Sequence, residues 1–136
     1  MKRISRTIRQ QVRERAGGRC EYCRLPEQYS PISYHIDHII PIKRHLGLEE
    51  PINYAYACFD CNRNKETDIA GYDLELTHEL TTLFNPRTQN WDDHFYLDGA
   101  TIIAKTAIGR VTLRLLIMNN TDYINARTFL IEYGLW

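Results

Sequence analysis

Two short stretches decide the fold of this chain: Cys20-Glu-Tyr-Cys23 and Cys58-Phe-Asp-Cys61. They contain all the cysteines of the 136 residues. Two thiolates three residues apart in a tight turn can bind one tetrahedral ion, and a second such turn completes a closed shell of four sulfurs. The pattern therefore predicts one structural Zn²⁺ bound by Cys20, Cys23, Cys58 and Cys61, since a closed shell leaves no position for a substrate.

Two other interpretations of the cysteines remain open, a redox-active pair and unrelated free thiols. Neither explains why both stretches have the same spacing and why no cysteine is left over. The segment between the two stretches, residues 24–57, is longer than the roughly 15–20 residues usual between such pairs. We interpret the additional length as an inserted functional segment.

A cluster of polar residues lies inside that segment, in Tyr34-His-Ile-Asp-His-Ile-Ile-Pro41. The surrounding residues are typical of a buried strand, where an unpartnered polar side chain costs several kcal/mol. His35, Asp37 and His38 therefore need partners or a function. Asn62, an oxygen donor, directly follows the last cysteine. The sequence thus predicts a polar site beside the zinc.

The order of these motifs resembles the HNH endonucleases of the ββα-metal fold. The resemblance covers roughly residues 16–66 and rests on Cys-x-x-Cys, Asp37-His38-Ile39-Ile40-Pro41, Asn53 and Cys-x-x-Cys61-Asn62-x-x-Lys65. It implies an α+β protein with a ββα-metal (HNH) nuclease core and a zinc knot. The implied activity is metal-dependent hydrolysis of DNA phosphodiester bonds.

The resemblance also implies a role for each matching residue. His38 matches the general base that activates water, and Asp37 and Asn62 match the ligands of a catalytic divalent ion, Mg²⁺ or Mn²⁺. Asn53 matches the position that holds the loop and helps to orient the histidine. Three further residues are expected at the nucleic acid, two as phosphate contacts and one as an additional polar group or a partner of the metal-binding carboxylate: Arg63, Lys65 and His35.

The charge distribution allows two interpretations. The chain has 17 basic and 17 acidic residues, but residues 1–19 contain a single acid, Glu14. A basic arm can follow a phosphate backbone although the whole chain is neutral. The alternative is a solvated amphipathic helix. The basic residues of this segment are Lys2, Arg3, Arg6, Arg9, Arg13, Arg15 and Arg19.

Hydrophobic periodicity and turn residues predict the remaining organisation. We expect a single domain, residues 1–136, with the HNH core at about 16–66 and a C-terminal elaboration of a β-hairpin and helices at about 67–136. Residues 67–90 look mostly irregular, and Asp98-Gly99 suits the type I′ turn of a hairpin. The predicted elements are helices at 4–16, from 59 or 60 onward, 111–118 and 122–133, and strands at 34–40, 54–58, 94–97 and 100–103.

The expected partner is DNA, and the expected compartment is the cytoplasm. No apolar run is long enough for a membrane span, and the basic N-terminus lacks the apolar stretch of a signal peptide. A homodimer is an open alternative to a monomer, because a single small site usually needs two copies to cut both strands. Two other functions compete with the enzyme: a zinc-stabilised nucleic-acid-binding module without cleavage activity, and a metal-stabilised interaction protein.

Overall fold

The computed structural model describes residues 3–136 and confirms a mixed α+β protein with small antiparallel sheets. Lys2, predicted as part of the basic segment, lies outside the described residues. The chain folds as two compact units that meet in sequence at Ile69 and Ala70, close to the predicted boundary of the HNH core. That the two units act as a single domain stays a prediction.

The first unit begins with helix α1, Arg6–Arg15. It starts at Ser5, whose hydroxyl accepts the N–H of Ile8 at 3.2 Å and so satisfies one of the free donors of the first turn. Val12 is 1% exposed and anchors the helix to the core. Gly17 and Gly18 follow with φ of 65° and 70°, a conformation that ends the helix at low steric cost.

A two-stranded antiparallel sheet and a helix follow, as the sequence predicted. Strand β1 is His35–His38, strand β2 is Tyr54–Ala57, and helix α3 is Phe59–Lys65. Helix α1 packs against β2 and α3 against β1. The register is set by four cross-strand pairs: His35 with Ala57, Ile36 with Tyr56, Asp37 with Ala55, and His38 with Tyr54.

The loop between β1 and β2 contains a short helical turn α2, Ile42–His45, which is interrupted by two residues with non-helical dihedral angles, and a 3₁₀ turn at Pro51–Asn53. A second 3₁₀ turn, Glu27–Tyr29, precedes β1. At Gly47 the loop backbone passes so close to Ile40 that a Cβ there would collide with the carbonyl oxygen of Ile40. The loop therefore depends on a glycine at this position.

The second unit contains two hairpins and two longer helices. Its elements are β3 Ala70–Tyr72, β4 Leu80–Thr82, α4 Trp91–His94, β5 Phe95–Asp98, β6 Thr101–Ala104, α5 Ala107–Leu115 and α6 Thr121–Glu132. Residues 67–90 are mostly irregular, as predicted, but the prediction did not include β3 and β4, which pair with each other. These strands are only three residues long, too short for a periodic pattern to reveal them.

Two local predictions in this unit also need correction. Helix α5 begins four residues earlier than expected, because the Thr106 hydroxyl accepts the N–H of Gly109 at 3.1 Å and caps the helix. In the second hairpin Asp98 pairs with Thr101, so the loop is Gly99 and Ala100. Of these two only Gly99 has positive φ, whereas a type I′ turn needs positive φ at both positions.

No helix within residues 3–136 combines the length and the apolar character needed to cross a membrane.

Candidate metal centre and adjoining pocket

The four cysteines converge at one point in the first unit. Each is at most 1% exposed, and their sulfurs all lie within 4.8 Å of one another. A tetrahedral shell with Zn–S bonds of about 2.3 Å requires sulfurs about 3.8 Å apart. The Sγ atoms of Cys23 and Cys58 are 3.8 Å apart. The donor set therefore fits a structural zinc ion, as the sequence predicted.

The two halves of this centre have the same local geometry. The backbone N–H of Cys23 donates to Sγ of Cys20, and the N–H of Cys61 donates to Sγ of Cys58, both at 3.4 Å. In the second half the accepting cysteine is also the N-cap of α3. Helix α3 is thereby fixed to the metal centre at its first turn, which determines where Asn62 and Lys65 lie.

Tyr22 connects the metal centre to Asp37. It lies between Cys20 and Cys23, is fully buried, and donates its hydroxyl to Oδ2 of Asp37 at 2.7 Å. Burial and the neighbouring Asp37 carboxylate raise the pKa of the Tyr22 hydroxyl well above its ordinary value, so it stays a donor. Sequence reasoning missed this residue, since no spacing rule links a tyrosine at 22 to a carboxylate at 37.

Asp37 and Lys65 form a buried ion pair. Asp37 is 4% exposed and Lys65 is 1% exposed, and Nζ lies 3.2 Å from each carboxylate oxygen. The ammonium also donates to the carbonyl oxygen of His38 at 3.1 Å. Burial raises the pKa of Asp37 above its ordinary value, against the opposing effect of the Lys65 charge and the Tyr22 hydroxyl.

The position of Lys65 corrects one prediction. A side chain that is 1% exposed and paired with Asp37 is not on a surface that a DNA phosphate can reach. The helical spacing places Lys65 one turn beyond Cys61, and that face of α3 packs toward β1. Lys65 therefore holds the carboxylate and the end of the strand instead of facing the substrate.

His38 is the last residue of β1 and is oriented by Glu49. Its Nε2 lies 2.8 Å from Oε2 of Glu49, whose other oxygen accepts the hydroxyl of Tyr54 at 3.1 Å. The ring of Tyr54 meets the imidazole edge to face at 5.6 Å. None of the residues 3–136 hydrogen-bonds to Nδ1 of His38. Glu49 is not among the residues predicted from the sequence, because no spacing rule links a carboxylate in the loop between β1 and β2 to His38.

Asn53 holds the loop closed. Its side chain accepts the N–H of Ile40 at 2.8 Å and donates to the carbonyl oxygens of Ile40 and Leu48 at 2.8 and 2.9 Å. Its own carbonyl accepts the N–H of Ile39, the residue after His38. The structure therefore places Asn53 on the loop backbone, where it positions the chain around His38 without a side-chain contact to the imidazole.

A surface pocket of about 510 Å³ brings three of the predicted residues together. Asp37 and His38 are neighbours in sequence, and both line it because β1 ends at His38. Asn62 lines it from α3, and among the described residues its side-chain amide makes no hydrogen bond. The lining residues are Ile36, Asp37, His38, Pro41, Ile42, Lys43, Asn62, Glu66 and Thr67.

Two predicted residues lie outside this pocket. His35 is exposed at the start of β1, with its ring 6.1 Å from that of Phe59, and it forms no hydrogen bond or ion pair with Asp37. Arg63 is exposed on α3, where it pairs with Asp60 at 3.2 Å and lies over the Phe59 ring at 5.2 Å. Both are on a surface that solvent reaches.

Comparison with known proteins identifies the segment that contains this centre. Residues 20–68 match the family model described as HNH endonuclease, which covers less than half of the chain. No curated protein and no solved structure matches the chain. The match begins at the first cysteine and includes all four cysteines, Asp37, His38, Asn53 and Asn62. Residues 20–68 are therefore similar to the HNH endonuclease domain.

Proposed function

We propose that this domain hydrolyses DNA phosphodiester bonds in a divalent-metal-dependent reaction, with His38 as the general base. The observation that carries the proposal is the pocket in which Asp37, His38 and Asn62 meet, although they come from two elements that are far apart in sequence. We also assign β1, β2 and α3 to the ββα-metal fold, because two antiparallel strands followed by a helix hold these side chains.

The role of His38 follows from its contact with Glu49. A carboxylate is an acceptor, so the 2.8 Å contact favours the tautomer with the proton on Nε2. That tautomer leaves Nδ1 unprotonated and able to accept a proton from water. Glu49 is thus a positioning residue that fixes the tautomer and the ring orientation of the base. The edge contact with Tyr54 restrains the same ring.

The donor set of the pocket fits a hard divalent cation. Asp37 supplies carboxylate oxygens and Asn62 supplies an amide oxygen, which are ligands that Mg²⁺ and Mn²⁺ prefer. Each Asp37 oxygen retains a lone pair after it accepts from Tyr22 and Lys65. Asp37 and Asn62 would hold such a cation, which would neutralise the charge that develops on the phosphate. Arg63 and His35, both exposed, are proposed to contact the nucleic acid outside the pocket.

One observation favours the rival function, a nucleic-acid-binding module without cleavage. The Lys65 ammonium lies 3.2 Å from both oxygens of Asp37, so the carboxylate is already neutralised within the protein. A divalent cation must bind beside that positive charge. If the pocket does not bind a cation, the zinc centre still supports the domain, and the protein binds nucleic acid without cutting it.

A plasmid-cleavage assay separates the two functions. Supercoiled DNA is incubated with the wild-type protein and either Mg²⁺ or Mn²⁺, with no added chelator so that zinc stays bound. We expect metal-dependent nicking or linearisation by the wild type and its loss in His38→Ala. The matched control is His45→Ala, since His45 is exposed in the loop and outside the pocket.

Three outcomes would contradict the proposal. If the wild type binds DNA and cuts it with neither metal, the binding module is correct. If His38→Ala and His45→Ala cut equally well, the activity does not come from this pocket. Loss of cleavage in both variants with unchanged circular dichroism also removes the assignment of the base to His38 alone.

A further inference from the structure

A second pocket of about 690 Å³ lies along α1 of the first unit. Four arginines line it, and all four side chains are exposed. Arg6, Arg9 and Arg13 follow one another at three and four residues, which places them on one face of the helix. Arg3 lies just before the helix. The remaining lining is formed by Ile4, Ser5, Gln10 and Tyr56.

Only two of the four arginines of this pocket make hydrogen bonds or ion pairs with the described residues. Arg9 donates to the carbonyl oxygen of Tyr34 at 3.2 Å, and Arg13 pairs with Glu27 at 2.9 Å. By contrast, Arg3 and Arg6 have neither a hydrogen bond nor an ion pair with any residue of 3–136. Two guanidinium groups in one pocket without an acidic partner make it electropositive.

The nearby acids do not neutralise these two cations. Glu27 is held by Arg13, by the Tyr56 hydroxyl at 2.7 Å and by the N–H of Tyr34 at 2.9 Å. Glu14 accepts from Gln10 at 2.9 Å. Neither carboxylate contacts Arg3 or Arg6. The guanidinium groups of Arg3 and Arg6 are therefore available to bind an anionic ligand.

We propose that this arginine pocket binds the sugar-phosphate backbone of DNA next to the cleavage site. The rise of about 1.5 Å per residue separates Arg6 from Arg13 by about 10 Å along the helix axis. One DNA strand carries a phosphate about every 3.4 Å along its axis, so this face spans about three phosphates. Guanidinium groups bind phosphate oxygens with paired hydrogen bonds.

The position of the pocket connects it to the catalytic site and deepens the proposed function, on which it rests. Tyr56 lines the arginine pocket, and its cross-strand partner Ile36 lines the pocket that contains Asp37 and His38. The Cα atoms of such partners are about 5 Å apart. The two pockets are therefore lined by paired residues of the same two-stranded sheet, and the proposal is that one bound DNA strand extends over both.

Arg15 shows that the basic segment serves two purposes. Its guanidinium donates to the carbonyl oxygens of Pro51 and Tyr54, at 3.1 and 2.8 Å, and so attaches α1 to the start of β2. The cations that hold the helix in place are thus distinct from the two that remain without a partner. Both interpretations of the segment apply, each to different arginines.

Fluorescence anisotropy with a labelled 20-base-pair DNA duplex tests the proposal. The binding constant is measured at several KCl concentrations in a His38→Ala background, so that cleavage does not interfere. Arg3→Gln/Arg6→Gln removes two charges, and Arg3→Lys/Arg6→Lys retains them. Because both side chains are exposed and unpartnered, neither pair of substitutions should affect folding, which circular dichroism verifies.

Loss of two phosphate contacts lowers the slope of log K against log salt by about 1.8. If the counterion contribution vanishes at 1 M salt, this change in slope corresponds to roughly 60-fold weaker binding at 0.1 M salt. We expect this loss in the glutamine variant and nearly wild-type binding in the lysine variant. Unchanged affinity and slope in the glutamine variant would overturn the proposal, as would equal losses in both variants.

The outcome is independent of whether the domain cuts DNA. If the wild type cleaves plasmid and the glutamine substitutions do not change duplex binding, the arginine pocket is wrong and the nuclease stands. If the glutamine substitutions weaken binding but the wild type never cleaves, the arginine pocket stands and the nuclease is wrong.

Discussion

Asn53 and Asn62, the two asparagines that match the HNH pattern, have different structural roles: the side chain of Asn53 is bound to the loop backbone, whereas that of Asn62 lines a pocket. The substitution Asn53→Ala tests this difference. The Asn53 side chain makes three hydrogen bonds to the loop backbone, and the residue is 6% exposed. Alanine removes all three and leaves the N–H of Ile40 without its acceptor. A typical hydrogen bond contributes about 1 kcal/mol, and an unsatisfied buried group costs about 1–3 kcal/mol.

We therefore expect Asn53→Ala to lower the free energy of unfolding of the first unit by about 3 kcal/mol. Urea denaturation of the zinc-loaded protein, followed by circular dichroism, measures this change. Amide hydrogen exchange gives a local measure, since the N–H of Ile40 is bound by Asn53 Oδ1 at 2.8 Å. Its exchange should accelerate much more than that of residues in α1.

Asn62→Ala is the matched substitution. Asn62 lines the pocket that contains Asp37 and His38, and its side-chain amide makes no hydrogen bond among the described residues. We expect it to change the free energy of unfolding by less than about 0.5 kcal/mol, as is usual where no cap, core or buried network is lost. Metal-dependent plasmid cleavage should nevertheless disappear, because the proposed cation loses a ligand.

The reasoning is refuted if Asn53→Ala unfolds at the same urea concentration as the wild type and Ile40 exchanges at its original rate. It is also refuted if Asn62→Ala destabilises the protein as much as Asn53→Ala does. The first result would show that the hydrogen bonds of Asn53 do not stabilise the loop, and the second that Asn62 has a structural role.

Three further predictions concern other contacts. Glu49→Gln should lower kcat for cleavage about 10- to 100-fold with little change in KM, because it weakens the orientation of His38. If the same substitution lowers kcat by the same factor in a His38→Ala background, Glu49 does not act through His38. Cys58→Ser should reduce the zinc content well below one ion per chain, measured by mass spectrometry, and lower the urea midpoint; full zinc retention would exclude this residue as a ligand. Hydrogen bonds from Arg110 hold the pKa of Asp73 below its ordinary 3.8. The ionised carboxylate therefore stabilises the second unit above about pH 4, and this contribution is lost as the pH falls through the lowered pKa. The difference in tryptophan-monitored stability between wild type and Asp73→Asn should therefore be full at pH 7 and shrink below pH 4, and a difference independent of pH would argue against the ion pair.

Much of the first unit was predictable because its signals are local. The strand at 35–38 and the helix from 59 follow from residue type and from the proline and cysteine residues that bound them. The early end of β1 resolves how Asp37 and His38 share one pocket, although neighbours on a regular strand face opposite sides. In the second unit, β3 and β4 were missed because three residues carry too little periodicity.

The spacing of the four cysteines was sufficient by itself to predict the metal centre, since each pair closes within one turn of backbone. Adjacency likewise determined that Asn62 lies next to Cys61 and so beside the cysteine cluster. Only the tertiary structure decided which polar groups meet: Lys65 with Asp37, and Glu49 with His38. These pairs form when loops close over many residues, and the order of residues in a loop does not specify which charges become neighbours. Burial then selects among them, because a charge removed from water needs a partner at hydrogen-bonding distance.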